Sequence, residues 1–406
     1  MNHPDSQPLS LTFNGPAQSK IHICRSIDDI DVVDWQSLAG SDYPFARYDF
    51  LQALEHSGCT NAATGWQPSH LVICQQGLVT GIIPAFLKNN SRGEYVFDFA
   101  WAEAYQRYGQ PYYPKLLMAI PFTPSQGPRL LLTAKLRDTL DSASLHELLD
   151  AAATAIGAHS WHLLFPDRAD QALLGQPQTP NSPQLHRLGC QFHWHNAGYE
   201  AFDDFLAQLT SRKRKSIRKE RKQVSDQGIE FQRVSGSDIS ERVLDGFYVF
   251  YQATYLKRGQ QPYLNRNFFE RLFRQMPEHV HIVIALKQGE MIASALFLSG
   301  TDTLYGRYWG CLDEYNHLHF ETCYYQGIEL AIDLGLQHFD AGAQGEHKLV
   351  RGFEPLLTHS WHGIEHPGFR DAIANFVAEE REGVRSYFEE SKTLLPFRQT
   401  ENDKSG

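Results

Sequence analysis

Strand-like alternation and helix-like periodicity follow one another twice along this chain. Ile21 to Arg25 alternates as a first strand, and Ile27 to Leu38 and Tyr48 to His56 carry apolar residues at helical spacing, separated by Ser41-Asp-Tyr-Pro44. His70 to Gln75 and Leu78 to Leu87 are apolar strands turning at Gln76-Gly77, and Pro84 suits an edge or a bulge. Tyr95 to Ala100 reads as a third strand. Pro114 to Leu132 is apolar with four prolines, hence strand and turn. Ser142 to Ala158 then sets Leu145, Leu148, Leu149, Ala152 and Ile156 on one helical side, with Ser142 as cap, and Trp161 to Phe165 is the strand after it.

The order recurs. Leu188 to His195 alternates, a helix begins near Phe202, and Ile229 to Val234 is a strand. Val243 to Leu256 and Asn267 to Met276 read as helices. Ile282 to Leu286, Met291 to Leu298 and Thr303 to Trp309 form a second meander. Leu318 to Leu334 is a helix, Gln337 to Asp340 and Ser360 to Ile364 are strands, and Phe369 to Glu390 is a terminal amphipathic helix. Meander, helix, strand in both halves predicts a duplicated α/β (α+β) architecture, each half a mixed, mainly antiparallel sheet flanked by helices. The 406 residues exceed one hydrophobic core. The expected division is a disordered leader over 1–19, domains over 20–183 and 184–392 with a basic helix at 202–225, and a flexible tail over 393–406. The Pro- and Gln-rich stretch Gln176 to Pro183 is the expected linker.

A net charge of −10 excludes a protein that coats nucleic acid or anionic membrane with its whole surface. Six scattered cysteines without a C-x-x-C pair suggest neither a disulfide framework nor a zinc ribbon, and fit a reducing cytoplasm. No apolar run approaches the roughly 20 residues of a membrane helix, so no membrane insertion is expected. His193, His195, His317, His319 and His347 include two H-x-H pairs without further ligands at metal spacing, so no metal is expected.

Chemistry concentrates at Phe339-Asp-Ala-Gly-Ala-Gln-Gly-Glu-His-Lys-Leu-Val-Arg-Gly-Phe-Glu-Pro355. Gly342 and Gly345 permit positive φ or close approach to a bound group. If Glu346 opens a short helix, its carboxylate meets the positive end of the dipole and His347 and Arg351 share a face, with Gly352 as the stop. The segment offers Glu346 or His347 as base, the Gly345 backbone with Lys348 or Arg351 for an anion, and Tyr308 or Tyr324 as acid. A glycine turn leading into a solvated charged helix is the plain alternative. Glu321, inside an otherwise apolar helix, is either paired with a cation such as Arg307 or raised in pKa and functional. In the first half, Asp98, Trp101, Glu103, Tyr105 and Arg107 suggest either an acceptor pocket or a structural aromatic cluster. From Arg212 to Lys222, eight cations (Arg214, Lys215 and Arg218 among them) accompany one carboxylate, a basic ridge against the sign of the whole chain.

Several blocks resemble signatures of the bacterial FemAB-like family of predicted N-acyltransferases, in the GNAT superfamily, sometimes labelled peptidoglycan biosynthesis or recognition proteins. They are Tyr95-Val-Phe-Asp-Phe-Ala-Trp-Ala-Glu-Ala-Tyr105, Tyr112-Tyr-Pro-Lys-Leu116, Pro121-Phe-Thr-Pro124, Gln191-Phe-His-Trp-His-Asn196, Ser211-Arg-Lys-Arg-Lys215, Leu304-Tyr-Gly-Arg-Tyr-Trp-Gly310, Leu318-His-Phe-Glu-Thr-Cys-Tyr-Tyr-Gln326 and Gly342-Ala-Gln-Gly-Glu-His-Lys348. The likeness runs from about Ile21 to about Glu390. It implies tandem GNAT-like domains with the cleft between the halves. It also implies direct transfer of an acyl or aminoacyl group to a small-molecule amine. The usual Q/R-x-x-G-x-G/A loop that holds the CoA pyrophosphate is replaced by Cys311-Leu-Asp-Glu-Tyr-Asn-His-Leu-His319, without glycine. That weakens acyl-CoA as donor and leaves tRNA, or another phosphate-bearing donor, to the basic ridge. The rival expectation is an inactive acyltransferase fold binding a cell-wall or amino-sugar ligand or a protein partner. Sequence leaves the oligomeric state open.

Overall fold

The computed structural model describes residues 9–13, 19–175, 184–343 and 345–398. The chain forms two compact units: Met1–Gly189 with Thr358–Arg385, and Cys190–Leu357 with Ser386–Gly406. Expected linker residues 176–183 lie outside the described residues. The boundary differs from the expected cut at 183/184, because the chain changes unit inside strands, which the polar linker could not reveal.

In unit 1, strands β1 (Leu9–Phe13) and β2 (Ser19–Cys24) precede helices α1 (Val32–Ala39) and α2 (Tyr48–His56). Then follow β3 (Trp66–Pro68), β4 (His70–Gln75), β5 (Leu78–Ile83) and β6 (Phe86–Lys88), α3 (Phe99–Arg107), β7 (Lys115–Met118), β8 (Leu131–Leu132), α4 (Ala134–Thr139), α5 (Ser142–Ala155), β9 (Ser160–Leu164) and α6 (Arg168–Leu174). One sheet runs β1-β2-β4-β5-β8. Pro84 ends β5, and β6 joins other strands, pairing antiparallel with β3 and β7. β7 lies parallel to β9, with α5 between them in the chain. The core gathers Ile21, Ile73, Leu116, Leu145, Leu149, Trp161 and Leu163, so the predicted face of α5 is the buried one. Two expectations fail here. Leu9–Phe13 of the supposed leader pairs with Ser19–Ile23. The supposed strand Tyr95–Ala100 is loop leading into α3: its aromatic residues mimic a strand, but Asp98 is drawn inside by Lys115 and the chain turns helical from Phe99.

Strand β10 (Gln184–His195) carries the chain across the boundary into unit 2. There follow α7 (Phe202–Gln208), α8 (Ser211–Asp226), β11 (Ile229–Ser235), α9 (Glu241–Leu256), α10 (Arg266–Gln275), β12 (Val280–Lys287), β13 (Glu290–Ser299), β14 (Thr303–Cys311), α11 (Leu318–Phe320), a π-helical turn at Glu321–Tyr325, α12 (Gln326–Asp333) and β15 (His338–Asp340). Strands β11 to β14 form an antiparallel meander; β15 joins β14 in parallel and His193–His195 of β10 antiparallel. The core of this unit includes Trp194, Phe205, Phe297, Tyr325, Phe339 and Phe353. Strand β16 (Glu354–Ile364) returns the chain to unit 1, where Ser360–Ile364 pair with β9, and α13 (Pro367–Thr393) follows.

The single basic helix expected over 202–225 is two helices, broken at Leu209 and Thr210, where the Thr210 amide donates to the Pro396 carbonyl. Part of the expected flexible tail is therefore ordered: Leu395 and Phe397 pack on the unit 2 core, and Phe397 bridges to Leu209. Residues 399–406 lie outside the described residues.

Candidate functional site

Where β14 and β15 part, the sheet of unit 2 opens. They pair through Thr303↔His338, Leu304↔Phe339 and Tyr305↔Asp340, after which β15 ends and β14 runs on to Cys311. At this point Leu296 faces Tyr308 and Phe297 faces Gly306, so Arg307 is an extra, bulged residue. A bulge bends its strand and re-aims a side chain, and here it sits at the mouth of the opening.

Asp340 closes β15 and is fully buried. Its Oδ1 accepts from the Gly342 amide at 2.8 Å and lies 3.7 Å from His193 Nε2. Burial alone would raise its carboxyl, but His193, Arg307, the Gly342 amide and Lys348 together hold it below the usual carboxylate value. Its Oδ2 is buried without a hydrogen-bond donor among the described residues. Lys348 is equally buried and donates to the Gly342 carbonyl at 2.5 Å. Burial pulls its ammonium down to about 8, partly opposed by Asp340 and reinforced by Arg307. Asp340, Arg307 and Lys348 thus form one charged cluster at the head of the opening.

Glu346–Arg351 is a 3₁₀ rather than an α-helical turn, with Gly345 at φ 112° and Gly352 at φ 85°. A Cβ on Gly345 would lie 2.3 Å from the His347 ring, so glycine is required by both backbone and packing. His347 Nε2 meets the Tyr324 hydroxyl at 2.8 Å, and its ring lies 6.1 Å from that of His319. Partial burial of this otherwise exposed side chain, then Arg351 and Lys348, lower its pKa, so the neutral imidazole predominates at pH 7. Glu346 is exposed and accepts from the Tyr387 hydroxyl at 2.9 Å. Tyr308 packs its ring against Tyr251 and Phe269.

Other expected site residues are committed elsewhere. Arg351 is not offered to an anion: it donates to Tyr325, the His347 carbonyl and Glu220, and lies 3.5 Å over the Phe320 ring. Glu321 is paired, with Arg221 and Gln326 rather than Arg307. The π-helical turn aims Glu321 and Tyr325 toward α8 while Tyr324 faces His347; such turns recur at functional sites. On α8, Arg218 pairs with Asp203 and Lys222 with Asp226, and Arg214 reaches Ser211. Arg212, Lys215 and Lys219 are exposed and Lys213 half-buried, without carboxylate partners among the described residues.

In unit 1, Asp98, Trp101 and Tyr105 face the interior while Glu103 pairs with Arg107 in solvent, so these residues do not line one pocket. Lys115, fully buried, donates to Asp98, Glu94 and Ser91, and the Tyr112 hydroxyl donates to Asp98 at 2.5 Å. Against burial, Lys115 and then His162 hold Asp98 well below its ordinary pKa. Burial instead pushes Glu94 up to about 7 and Lys88 down to about 7. Trp101 packs edge-on to His362, and Tyr105 stacks on Phe369 at 3.8 Å. The parallel pair β7 and β9 repeats the arrangement of β14 and β15, but here the chain closes it. After Met118 it loops through buried Ala119, Ile120, Phe122, Thr123 and Ser125 and returns at Gly127, which bridges in parallel to Pro166.

Asp340, Glu220, Arg221 and Lys115 were not anticipated as site or network residues. An aspartate ending an apolar strand just before two glycines was one available signal; the lone acid in the cation run was another. Among the described residues, no three His, Cys, Asp or Glu side chains are placed to hold a metal ion. No helix among them is long and apolar enough to cross a membrane.

The model of the FemAB-like family, described as peptidoglycan biosynthesis/recognition, matches residues 26–399. The crystal structure of FemX superposes with a TM-score of 0.51 at 10% identity, covering 84% of this chain and 98% of FemX. The C-terminal domain of a putative lysylphosphatidylglycerol synthetase from Agrobacterium fabrum gives 0.53 at 10% identity, covering 87% and 96%. The fold is thus the one the family resemblance implies, shared with FemX and this synthetase domain. No curated protein matches the chain in sequence.

Proposed function

The chain belongs to the FemAB-like family and is a transferase, and from that premise we propose that unit 2 moves an aminoacyl or acyl group from an activated donor directly onto a small-molecule amine in the cytoplasm. The observation that carries this reading is the opening between β14 and β15, with Asp340, Arg307 and Lys348 at its head. In unit 1 the segment after β7 is instead buried and returns to bridge Gly127 to Pro166.

His347, neutral and hydrogen-bonded to Tyr324, takes the proton of the acceptor's ammonium. His347 passes that first proton to solvent. The freed amine bonds to the donor carbonyl carbon, the carbonyl oxygen becomes an oxyanion in the field of Arg307 and the buried Lys348, and the nitrogen gives its second proton to His347 as the C–N bond forms. Collapse re-forms the carbonyl and breaks the bond to the donor's leaving oxygen or sulfur. That atom receives the proton from His347 through the Tyr324 hydroxyl. Glu346, its Oε1 held by the Tyr387 hydroxyl, is the poorer base. The exposed cations of α8 favour a phosphate-rich donor, aminoacyl-tRNA before acyl-CoA, because Cys311–His319 lacks the glycines of a pyrophosphate loop.

Incubation with charged tRNAs and a panel of acyl-CoAs in an amine metabolite extract, read by mass spectrometry, tests the proposal. Product is expected from the native chain and from Glu346→Gln, and is expected to vanish in His347→Gln. If no donor yields product while cell-wall amino sugars raise the melting temperature, the chain is a binding protein on this fold.

A further inference from the structure

Helix α8 has two faces with different work. Its outer face carries the unpaired cations described above. Its inner face presents Glu220 and Arg221 side by side, each reaching a different part of the site. Glu220 is the one carboxylate in the run from Arg212 to Lys222. A solvated helix would use such an acid for a surface pair three or four residues away. Instead its Oε2 accepts from the Tyr325 hydroxyl at 2.5 Å and from Arg351 Nη2 at 2.8 Å. Tyr325 is fully buried, and the Arg351 and Glu220 side chains are 6% and 16% exposed.

Arg351 passes this constraint on. Its Nε donates to Tyr325 at 2.9 Å and its Nη1 to the His347 carbonyl at 2.8 Å, while its guanidinium carbon lies 3.5 Å from the centre of the Phe320 ring. The 3₁₀ turn bearing His347 is therefore tied at its carbonyl to a guanidinium whose own place is set by α8. We infer that Glu220 is a positioning residue of the site: through Arg351 it fixes the turn that presents His347 to Tyr324. The inference rests on the transferase reading for the role of His347, whereas the linkage itself stands on the geometry alone. The groups facing His347 are Tyr324 from the π-helical turn, His319 and Phe320 from α11, and Lys348 and Arg351 from its own turn. Arg258, from the loop after α9, acts on His319.

The test is an NMR titration of the His347 imidazole in the full-length chain labelled with ¹⁵N-histidine, the signal being assigned by its absence in His347→Gln. In Glu220→Gln the acceptor oxygen stays and its charge goes. Arg351 then remains in place with its field less offset, and the His347 pKa is expected to fall by roughly half a pH unit. In Glu220→Ala the guanidinium loses its carboxylate partner and its hold on the His347 carbonyl loosens, so the pKa is expected to rise by roughly the same amount and the Tyr324 hydrogen bond to disappear. If Glu220→Ala does not fold, Arg351→Lys, which cannot span both partners, takes its place with the same expected rise. Opposite shifts support a positioning role. Equal titration curves, or shifts of one sign, make Glu220 a structural counter-ion only and overturn the inference. No substrate enters this measurement, so a failed transfer assay leaves its outcome readable, and the reverse.

Discussion

Arg221→Ala should cost unit 2 more stability than the exposure of its guanidinium suggests. Arg221 donates twice to Glu321, at 3.1 and 2.9 Å, and once to Glu329 at 2.5 Å. Glu329 keeps a partner when Arg221 is removed, because Arg233 holds it at 2.5 Å. Glu321 does not: its side chain is 4% exposed and, among the described residues, retains the Gln326 amide at 2.9 Å. Breaking a buried pair from one side costs about 3–5 kcal/mol, since the other charge stays buried. The remaining amide bond and the 26% exposure of Arg221 reduce this to about 2–3 kcal/mol. For a unit of this size that is a fall in Tm of roughly 5–10 °C. Urea unfolding followed by tyrosine and tryptophan fluorescence would measure it. In a cycle with Glu321→Leu, the pair Arg221→Met with Glu321→Leu should recover most of the loss, because the uncompensated charge is then gone. A loss under about 1 kcal/mol in Arg221→Ala, or a double variant as weak as the sum of the singles, would refute the reasoning.

Three further outcomes are expected. Burial depresses His162 and His186 to about 3, and His146, His195, His281 and His319 to about 4. Between the ordinary value of 6.5 and about 4 the folded chain therefore binds fewer protons than the unfolded one, so stability should fall steadily on acidification through that window. Urea midpoints at pH 7, 6 and 5 check it; a flat profile contradicts the burial. Replacing Arg212, Lys215 and Lys219 by glutamate should weaken tRNA binding at least tenfold and flatten its log–log salt slope by about 2, as filter binding would show, whereas unchanged affinity returns the ridge to plain solvation. Gly310→Ala would set a Cβ 1.9 Å from the Phe250 carbonyl oxygen and should lower stability by about 1–3 kcal/mol by lifting α9 off β14, with native Tm as the contrary result.

Much of the fold was legible because local patterns and tertiary packing agree. The meander β12 to β14 alternates cleanly, and α5 buries the side its spacing predicts. Legibility failed where a distant partner decides. Tyr95–Ala100 has strand composition, yet Lys115, seventeen positions beyond Asp98, recruits that residue and the strand never forms. The break at Leu209 depends on Pro396 and Phe397, far along the chain. At the site, the glycine-rich segment and its ionisable residues were visible, since glycine and charge leave local signatures. The partners were not: that Arg351 would be consumed by Glu220, and Glu321 by Arg221, depends on side chains brought together over 100 positions or more.

The division of the chain inside β10 and β16 also bears on synthesis. Unit 1 lacks residues 358–385 until residues 190–357 of unit 2 have been synthesised. Until then β9, buried along its whole length in the finished unit, has no Ser360–Ile364 beside it and presents Trp161 and Leu163 on an unpaired edge. Unit 2 is complete in sequence except for Ser386–Gly406, so the two units finish folding together rather than in the usual N-to-C succession. A ribosome stalled before Thr358 would hold a nascent chain with an open sheet, a natural client for chaperones.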